Sequence, residues 1–411
     1  MKICIAQIKS LKGEIQKNIQ NHLRVIESAI KLKADLIIFP ELSITGYEPD
    51  LAKQLATNID DSIFNPFQAL SNKNEITIGI GMPTKAEEGV YISMLIFQPN
   101  EARTVYSKQL LHDDETPFFV CGNHQTILTI KHTKIAIGIC YETLQREHFV
   151  NANRNGAKIY IASVAKSKAG IEKANVHFPK MAKEFKTPIL MSNSIGYCDN
   201  FLSVGNSAVW NKNGDLLSQL DSENQGVLMY DTELETAESY QIKIEQAQLI
   251  DLNELFQIYL NGKSELERND IFQWTDKYPT IAIIKDDLEN GFLYTLKNGN
   301  EIIGAISISE EQEAEYKNVD WKFNNSKILV VHRLVVNPKH QRQGYAKLLM
   351  DFAEDFATNN GYSSIRLDAY SENKAVIEFY KKRNYIQRGN VNFPGREHPF
   401  YCMEKEVILS N

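Results

Sequence analysis

Lys134-Ile135-Ala136-Ile137-Gly138-Ile139-Cys140-Tyr141-Glu142 is the stretch on which the reading of this chain turns. The run Ile135 to Ile139 is short, apolar and β-branched, the pattern of a buried strand. It leads straight into Cys140. A cysteine at the end of a buried strand can sit on a sharp turn with its sulfur facing a cleft, the geometry of a nucleophile. A small buried hydrophobe, the commonest role of a free cysteine, accounts for Cys140 equally well when it is taken alone. Glu41, Lys108 and Glu115 upstream change that balance.

The chain has 411 residues, beyond one ordinary domain, so two domains are expected. Its apolar fraction of 43% and charged fraction of 24% are those of a globular protein in water. A formal net charge of -7, with dispersed lysines and arginines, predicts no nucleic-acid partner. Cys4, Cys121, Cys140, Cys198 and Cys402 are odd in number and lack CxxC spacing, which predicts free thiols in a reducing compartment. Met1 to Gln7 lacks the apolar core of a signal peptide, and no stretch approaches a membrane span. A cytoplasmic protein without membrane contact is expected.

Outward from Cys140, the first half alternates strands and helices. Ile3, Ile5 and Ile8 open a strand, and Ile19, Leu23, Ile26 and Ile30 follow at helical spacing. Leu36 to Phe39 is a second strand, ended by Pro40-Glu41. A solvated strand end would also account for Glu41. Ser71 to Asn74 reads as a turn. Ile76 to Ile80, Val90 to Phe97 and Arg103 to Tyr106 read as strands, with Lys108 just beyond the last. A solvated loop cation is the ordinary fate of such a lysine. His112-Asp113-Asp114-Glu115 has no helical ligand spacing, so no metal is expected. Beyond Cys140 come a helix to Asn155-Gly156, a strand Lys158 to Ala162, a helix His177 to Phe185 and a strand Ile189 to Met191. Ser203 to Trp210 and Leu216 to Leu220 read as strands joined at Asn213-Gly214.

Phe39-Pro40-Glu41, Tyr106-Ser107-Lys108 with Glu115 after it, and Gly138-Ile139-Cys140-Tyr141-Glu142 together resemble the nitrilase, or carbon-nitrogen hydrolase, superfamily. Asn193 to Gly196 and Gly205-Asn206-Ser207 extend the resemblance, which spans roughly Met1 to Tyr230. It implies a four-layer αββα sandwich, a Glu-Lys-Cys triad of Glu41, Lys108 and Cys140, and an assisting Glu115. Cys140 would attack as thiolate with Glu41 as base, and Lys108 with the Tyr141 N–H would meet the oxyanion. Amides are favoured over nitriles as substrates. The resemblance also implies a homo-oligomer formed through the sandwich. Where many members carry an Arg-Ala-Arg-Ala-like run, this chain has Lys180-Met181-Ala182-Lys183-Glu184.

Residues 233–239, overlapping the acidic run Asp231 to Glu238, read as a linker between a domain over 1–232 and another over 240–411. Tyr240 to Ile244 starts a strand, and a helix follows around Leu252, Leu255, Phe256 and Tyr259. Phe292 to Leu296 and Glu301 to Ser309 form a hairpin across Lys297-Asn298-Gly299-Asn300. Ile328 to Val336 is the central strand. Gln341-Arg342-Gln343-Gly344-Tyr345-Ala346 then opens a helix carrying Leu348, Leu349, Phe352, Ala353 and Phe356. A strand, a glycine-containing loop and a helix can bind phosphate, though an ordinary strand-to-helix turn has the same look. Ile365 to Ala369, then Asn373, Phe379-Tyr380 and Asn384-Tyr385, complete a resemblance to the GNAT N-acetyltransferase family over roughly Tyr240 to Val407.

That second resemblance implies a mixed α/β sheet using acetyl-CoA. Gln341, Arg342, Gln343, Gly344, Tyr345 and Ala346 would hold its pyrophosphate, and Leu334, Val335 and Val336 would pair with its pantetheine. Asn373 belongs to the same cofactor-binding set. Tyr380 would protonate the departing thiolate, and His332 is a candidate base. The fold expected is therefore α/β in two domains, and the function a cysteine-dependent hydrolysis of a non-peptide C–N bond with N-acetylation of an amine. Small-molecule amides and amines would be the partners. The alternatives are an acetyltransferase with a non-catalytic ligand-binding hydrolase-like module, or an amidase with a CoA-sensing regulatory domain.

Overall fold

A computed structural model of the chain describes residues 1–299, 301–324 and 327–407. The chain divides into two compact units, Met1–Gln241 and the part from Ile242 onward.

Two large sheets and a small hairpin sheet of Ile195–Cys198 and Phe201–Val204 make the first unit among the described residues. In one, Gly226–Asp231, Lys2–Gln7, Leu36–Ile38, Thr77–Lys85, Val90–Phe97 and Thr104–Ser107 are neighbours in that order. In the other the order is Leu216–Gln219, Ala208–Trp210, Ile189–Asn193, Ile159–Val164, Thr133–Ile139 and Ile127–Ile130. Strand alternation then assigns the layers. Ile3 and Ile5 face inward and pack in one core with Ile135, Ile137, Ile139 and Ile161 of the opposite sheet. Cys4 and Ala6 point the other way, into a core with Ile19 and Ile26 of the helix Ile15–Lys31. Ala136, Tyr160 and Ala162 pack outward against Phe149 and Phe178 of the helices Arg146–Arg154 and Lys168–Phe185. The result is the four-layer αββα sandwich.

Three strands of the second sheet, Thr133–Ile139, Ile159–Val164 and Ile189–Asn193, are parallel, so their carboxyl ends share one edge. Parallel strands deliver the residues that follow them to a common crevice. Cys140, Lys166 and Asn193 all sit at those ends.

The second unit is one mixed sheet. Its order is 242–246, Leu293–Asn298, Glu301–Ser309, Ile328–Val336, Ser364–Tyr370, Phe400–Glu406 and Ile386–Val391. The helices Tyr345–Asn359 and Lys374–Lys382 contribute to one core with Leu329 and Leu367, and Leu252–Arg268 to another with Val335. Ile328–Val336 and Ser364–Tyr370 are parallel but pair only through Ile328, Leu329 and Val330. Among the described residues that side of the strand is unpaired beyond Val330, while Val335 and Val336 still pair with Ala305 and Gly304 on the other.

Several expectations are corrected. Residues 233–239 are no linker: a turn at 232–235 leads into the strand Thr236–Gln246, whose first residues pair with Gly226–Asp231. Cross-strand hydrogen bonding overrides the low apolar content there. Ser71 to Asn74 ends the helix Asn65–Asn74, capped by Glu75 in the left-handed region. Ser203 to Trp210 is two strands, Phe201–Val204 and Ala208–Trp210, in different sheets. Helix Ile281–Glu289 and strand Ile386–Val391 were not anticipated. Of the expected turn Lys297–Asn300, Asn300 lies outside the described residues. Among the described residues no helix is long and apolar enough to cross a membrane.

Candidate active site

Cys140 takes φ +44° directly after Thr133–Ile139, where the chain turns from strand into the short helix Cys140–Leu144. A left-handed cysteine is strained, and the strain is held by the fold around it. Glu142 supplies much of that hold. Its buried carboxylate accepts from the Ile139 N–H at 2.7 Å, the Gln109 N–H at 2.7 Å, the Leu110 N–H at 3.3 Å and the Tyr106 hydroxyl. One side chain thus ties the cysteine turn to the segment that carries Lys108.

Glu41, Lys108 and Glu115 meet beside this turn. Lys108 is 0% exposed, and its Nζ donates to Glu41 Oε1 at 2.8 Å and to Glu115 Oε1 at 2.6 Å. Its backbone is pinned by Ile92 O and the Gly122 N–H. Glu115 also accepts from the Tyr47 hydroxyl at 3.0 Å and the His112 N–H at 2.7 Å. Glu41 is set by close packing: a Cβ on Gly81 would lie 2.3 Å from Leu42 N and 2.5 Å from Pro40 O, so only glycine lets the neighbouring strand pass. Glu41 Oε2 is buried and makes no hydrogen bond among the described residues.

The electrostatics suit proton transfer. Burial raises the Glu41 carboxyl above its ordinary range, with Lys108 opposing. Burial, followed by Glu41, pushes the Cys140 thiol up to about 11, while Lys166 and Lys108 pull it down. Burial lowers the Lys108 ammonium, but Glu41, Cys140 and Glu115 outweigh it and the net direction is up. The resting pair is therefore a thiol beside a carboxylate of heightened basicity, with a fixed ammonium next to both. A cavity of about 460 Å³ opens onto Cys140, lined also by Tyr47, Glu115, Tyr141, Lys166 and Phe201. Cys140, Glu41, Lys108 and Glu115, far apart in sequence, are thus brought together.

Tyr47, Lys166 and the anchoring role of Glu142 escaped the sequence reading. Lys166 had a signal of the same kind as Lys108, a lysine just after an apolar strand, here Ile159–Val164. Asp114 pairs with His112 at 2.7 Å, and among the described residues no group of three or more His, Cys, Asp or Glu is placed to hold a metal ion.

In the second unit, the loop before helix Tyr345–Asn359 is exposed, with Arg342 at φ +60° and Gly344 at φ +89°. Among the described residues the N–H groups of Arg342, Gln343, Gly344, Tyr345 and Ala346 donate to no acceptor. Free N–H groups at a helix N-terminus are an anion cradle, which fits a pyrophosphate. The unpaired edge of Leu334, Val335 and Val336 fits an extended amide-bearing arm. Gln341 donates to Val336 O at 3.2 Å and so braces loop to strand. Asn373 is placed differently from expectation. Its carboxamide caps helix Lys374–Lys382 by accepting from the Val376 N–H at 3.3 Å and donates to Gln273 at 3.0 Å. Buried and doubly engaged, it positions the helix bearing Tyr380.

Tyr380, Leu334, His332, Arg333, Asp368 and Glu313 line a cavity of about 470 Å³. The Tyr380 hydroxyl makes no hydrogen bond among the described residues, and burial raises its pKa. His332 Nε2 is 3.1 Å from Glu311 O, and burial with Arg333 beside it lowers its pKa to about 4. Asp368, not anticipated because it lies within an apolar strand, accepts from Tyr316 at 2.8 Å and is pushed up to about 6 by burial.

The carbon-nitrogen hydrolase family matches residues 2–242, and the acetyltransferase (GNAT) family matches residues 252–385. The chain is 25% identical over 264 residues to a glutamine-dependent NAD(+) synthetase of Acinetobacter baylyi, covering 62% of this chain and 48% of that protein. It thus spans about half the length of that relative. It is 26% identical over 237 residues to a probable nitrilase of Schizosaccharomyces pombe, covering 56% of this chain and 86% of the relative. Among solved structures, a mutant of the amidase from Nesterenkonia sp. AN1 in complex with butyramide is similar in fold, with TM-score 0.53, 21% identity and coverage of 57% of this chain and 92% of that one.

Proposed function

We propose, for a chain that belongs to the carbon-nitrogen hydrolase family through residues 2–242 and carries a GNAT acetyltransferase region over 252–385, that it hydrolyses a small amide at Cys140 and acetylates an amine in its second unit. The observation that carries the first reaction is the buried Lys108 ammonium held between Glu41 and Glu115 beside a left-handed Cys140.

Cys140 Sγ gives its proton to Glu41 and bonds to the amide carbon. The carbonyl electrons move to oxygen, where Lys108 and the Tyr141 N–H supply positive charge. Glu41 passes the proton to the nitrogen, the C–N bond breaks and a thioester remains. Glu41 then takes a proton from water as the water attacks, the C–S bond breaks, Glu41 returns the proton to sulfur and the acid leaves. Amides fit this cycle better than nitriles because Glu41 must protonate a departing amine. The test is a screen of small amides for ammonia or amine release by wild type and Cys140→Ala, repeated with acetyl-CoA present.

Membership of the GNAT family implies acyl-CoA use, and acetyl-CoA as co-substrate would supply the transferable acyl group. The chain's part is to bind with the Gln341–Ala346 loop, to align along Leu334–Val336, and to hold a proton at the Tyr380 hydroxyl. A Cβ at Gly344 would meet nothing within 4 Å, so the demand for glycine there comes from its φ of +89°. Gly344→Asp strains that conformation and sets a carboxylate at the anion cradle. Acetyl-CoA affinity, measured by calorimetry, is expected to fall by more than about tenfold. Tyr380→Phe removes only the proton-bearing hydroxyl, so affinity is expected to hold while the transfer rate drops by about a hundredfold. An unchanged transfer rate would remove Tyr380 from the reaction.

A further inference from the structure

Lys166 lies two residues beyond strand Ile159–Val164 and is 5% exposed. Its Nζ is 4.0 Å from Cys140 Sγ, and among the described residues it has no carboxylate partner. Lys108, at the same site, is neutralised by two. A buried ammonium without a counter-ion is costly, so a position that keeps one has a use for the charge.

The fold fixes that position firmly. The Lys166 N–H donates to Asn193 Oδ1 at 2.8 Å. Its carbonyl accepts from Asn193 Nδ2 at 3.3 Å, the Ser203 hydroxyl at 3.1 Å and the Val204 N–H at 3.2 Å. Asn193 is held in turn by Gly205 O at 2.6 Å and the Ser207 hydroxyl at 2.9 Å. Asn193, Gly205 and Ser207 belong to the two motifs that the triad chemistry leaves without a role. They build the bracket on which Lys166 stands, and preorganised charge of this kind costs no rearrangement during reaction.

We propose that Lys166 is a second catalytic cation of the hydrolase site, the counter-ion of the Cys140 sulfur whenever that sulfur is anionic. The proposal rests on Cys140 being the nucleophile. Once Glu41 holds the proton, Glu115 and Lys108 balance each other, and the negative charge on sulfur is left to Lys166. Sulfur becomes anionic twice per turnover: when Glu41 takes the thiol proton before the S–C bond forms, and when the C–S bond of the thioester breaks and sulfur keeps the electron pair. Lys166 lowers the barrier to both, and Glu41 returns the proton at the end. Besides these four charged groups, Tyr47, His112, Asp114 and Lys173 line the same cavity, and among the described residues none of these four hydrogen-bonds to the sulfur.

The experiment measures alkylation of Cys140 by iodoacetamide as a function of pH, together with kcat and KM for the best amide, on the full chain. The variants are Lys166→Met, Lys166→Gln and Lys166→Arg, with Cys140→Ala as the unlabelled control. Met and Gln keep the length without the charge, so a folding defect peculiar to one is exposed by the other. Both are expected to slow alkylation at neutral pH by about tenfold or more and to move its pH profile upward, with kcat falling in parallel. Arg is expected to restore part of both. Wild-type alkylation and an unmoved profile in Met and Gln would overturn the proposal. So would a raised KM at unchanged kcat, which assigns Lys166 to docking a substrate anion. Amide hydrolysis at wild-type rate in Cys140→Ala would instead defeat the reading on which the proposal rests.

Discussion

Cys140→Ala is expected to lose amide hydrolysis by about ten-thousandfold or more while remaining folded. Only a sulfur atom is removed, the neighbouring Glu142 bonds are untouched, and the cost to stability should be about 1 kcal/mol. Glu41→Gln is expected to lose about a thousandfold: the amide still accepts from Lys108 but cannot take a proton. Product release, denaturant unfolding and iodoacetamide labelling on each purified variant distinguish lost chemistry from lost fold. Wild-type turnover in either variant would mean that the triad is assigned to the wrong residues. The same assignment sets the sign of the pH response. Burial raises the Glu41 carboxyl, and only its ionised form is a base. The acid limb of kcat/KM should therefore lie above the ordinary carboxylate range, activity falling as pH drops through it.

Lys108→Ala should act on both rate and stability. Removing the oxyanion's fixed charge should lower kcat by about a hundred- to a thousandfold with little change in KM, because the charge matters most when oxygen becomes negative. The lysine is wholly buried between two carboxylates, so its loss leaves Glu41 and Glu115 facing each other without a cation. Breaking a buried ion network in this way costs about 3–5 kcal/mol, part of it relieved if one carboxylate takes a proton. Urea unfolding and steady-state kinetics on one preparation read the two effects separately. An unchanged kcat with a raised KM would assign Lys108 to substrate docking. A stability equal to wild type would mean that the three groups do not form the buried network described here.

The chain's own pattern carried the architecture a long way. Ile3 and Ile5 against Cys4 and Ala6, or Ile135 and Ile137 against Ala136, alternate because a strand presents successive side chains to opposite faces. Glu41, Lys108 and Cys140 were legible because a polar or reactive group directly after an apolar strand breaks that pattern. The acidic stretch 233–239 was misread as a linker because its strand is held by pairing with Gly226–Asp231 and not by apolar burial. Asp368 was hidden inside an apolar strand, and the capping bond of Asn373 and its bond to Gln273 cannot be seen in one dimension.

What the sequence by itself determined is thus local: which segments are strands and helices, which faces they bury, and which residues stand at strand ends. Only the tertiary structure decided which of those ends meet. Lys108 and Lys166 are the same kind of residue in the same kind of place, yet one is clasped by two carboxylates and the other faces a sulfur. Hydrophobic periodicity acts over a few residues, whereas the charge a side chain feels is set by groups far away in sequence that parallel strands carry to a common edge.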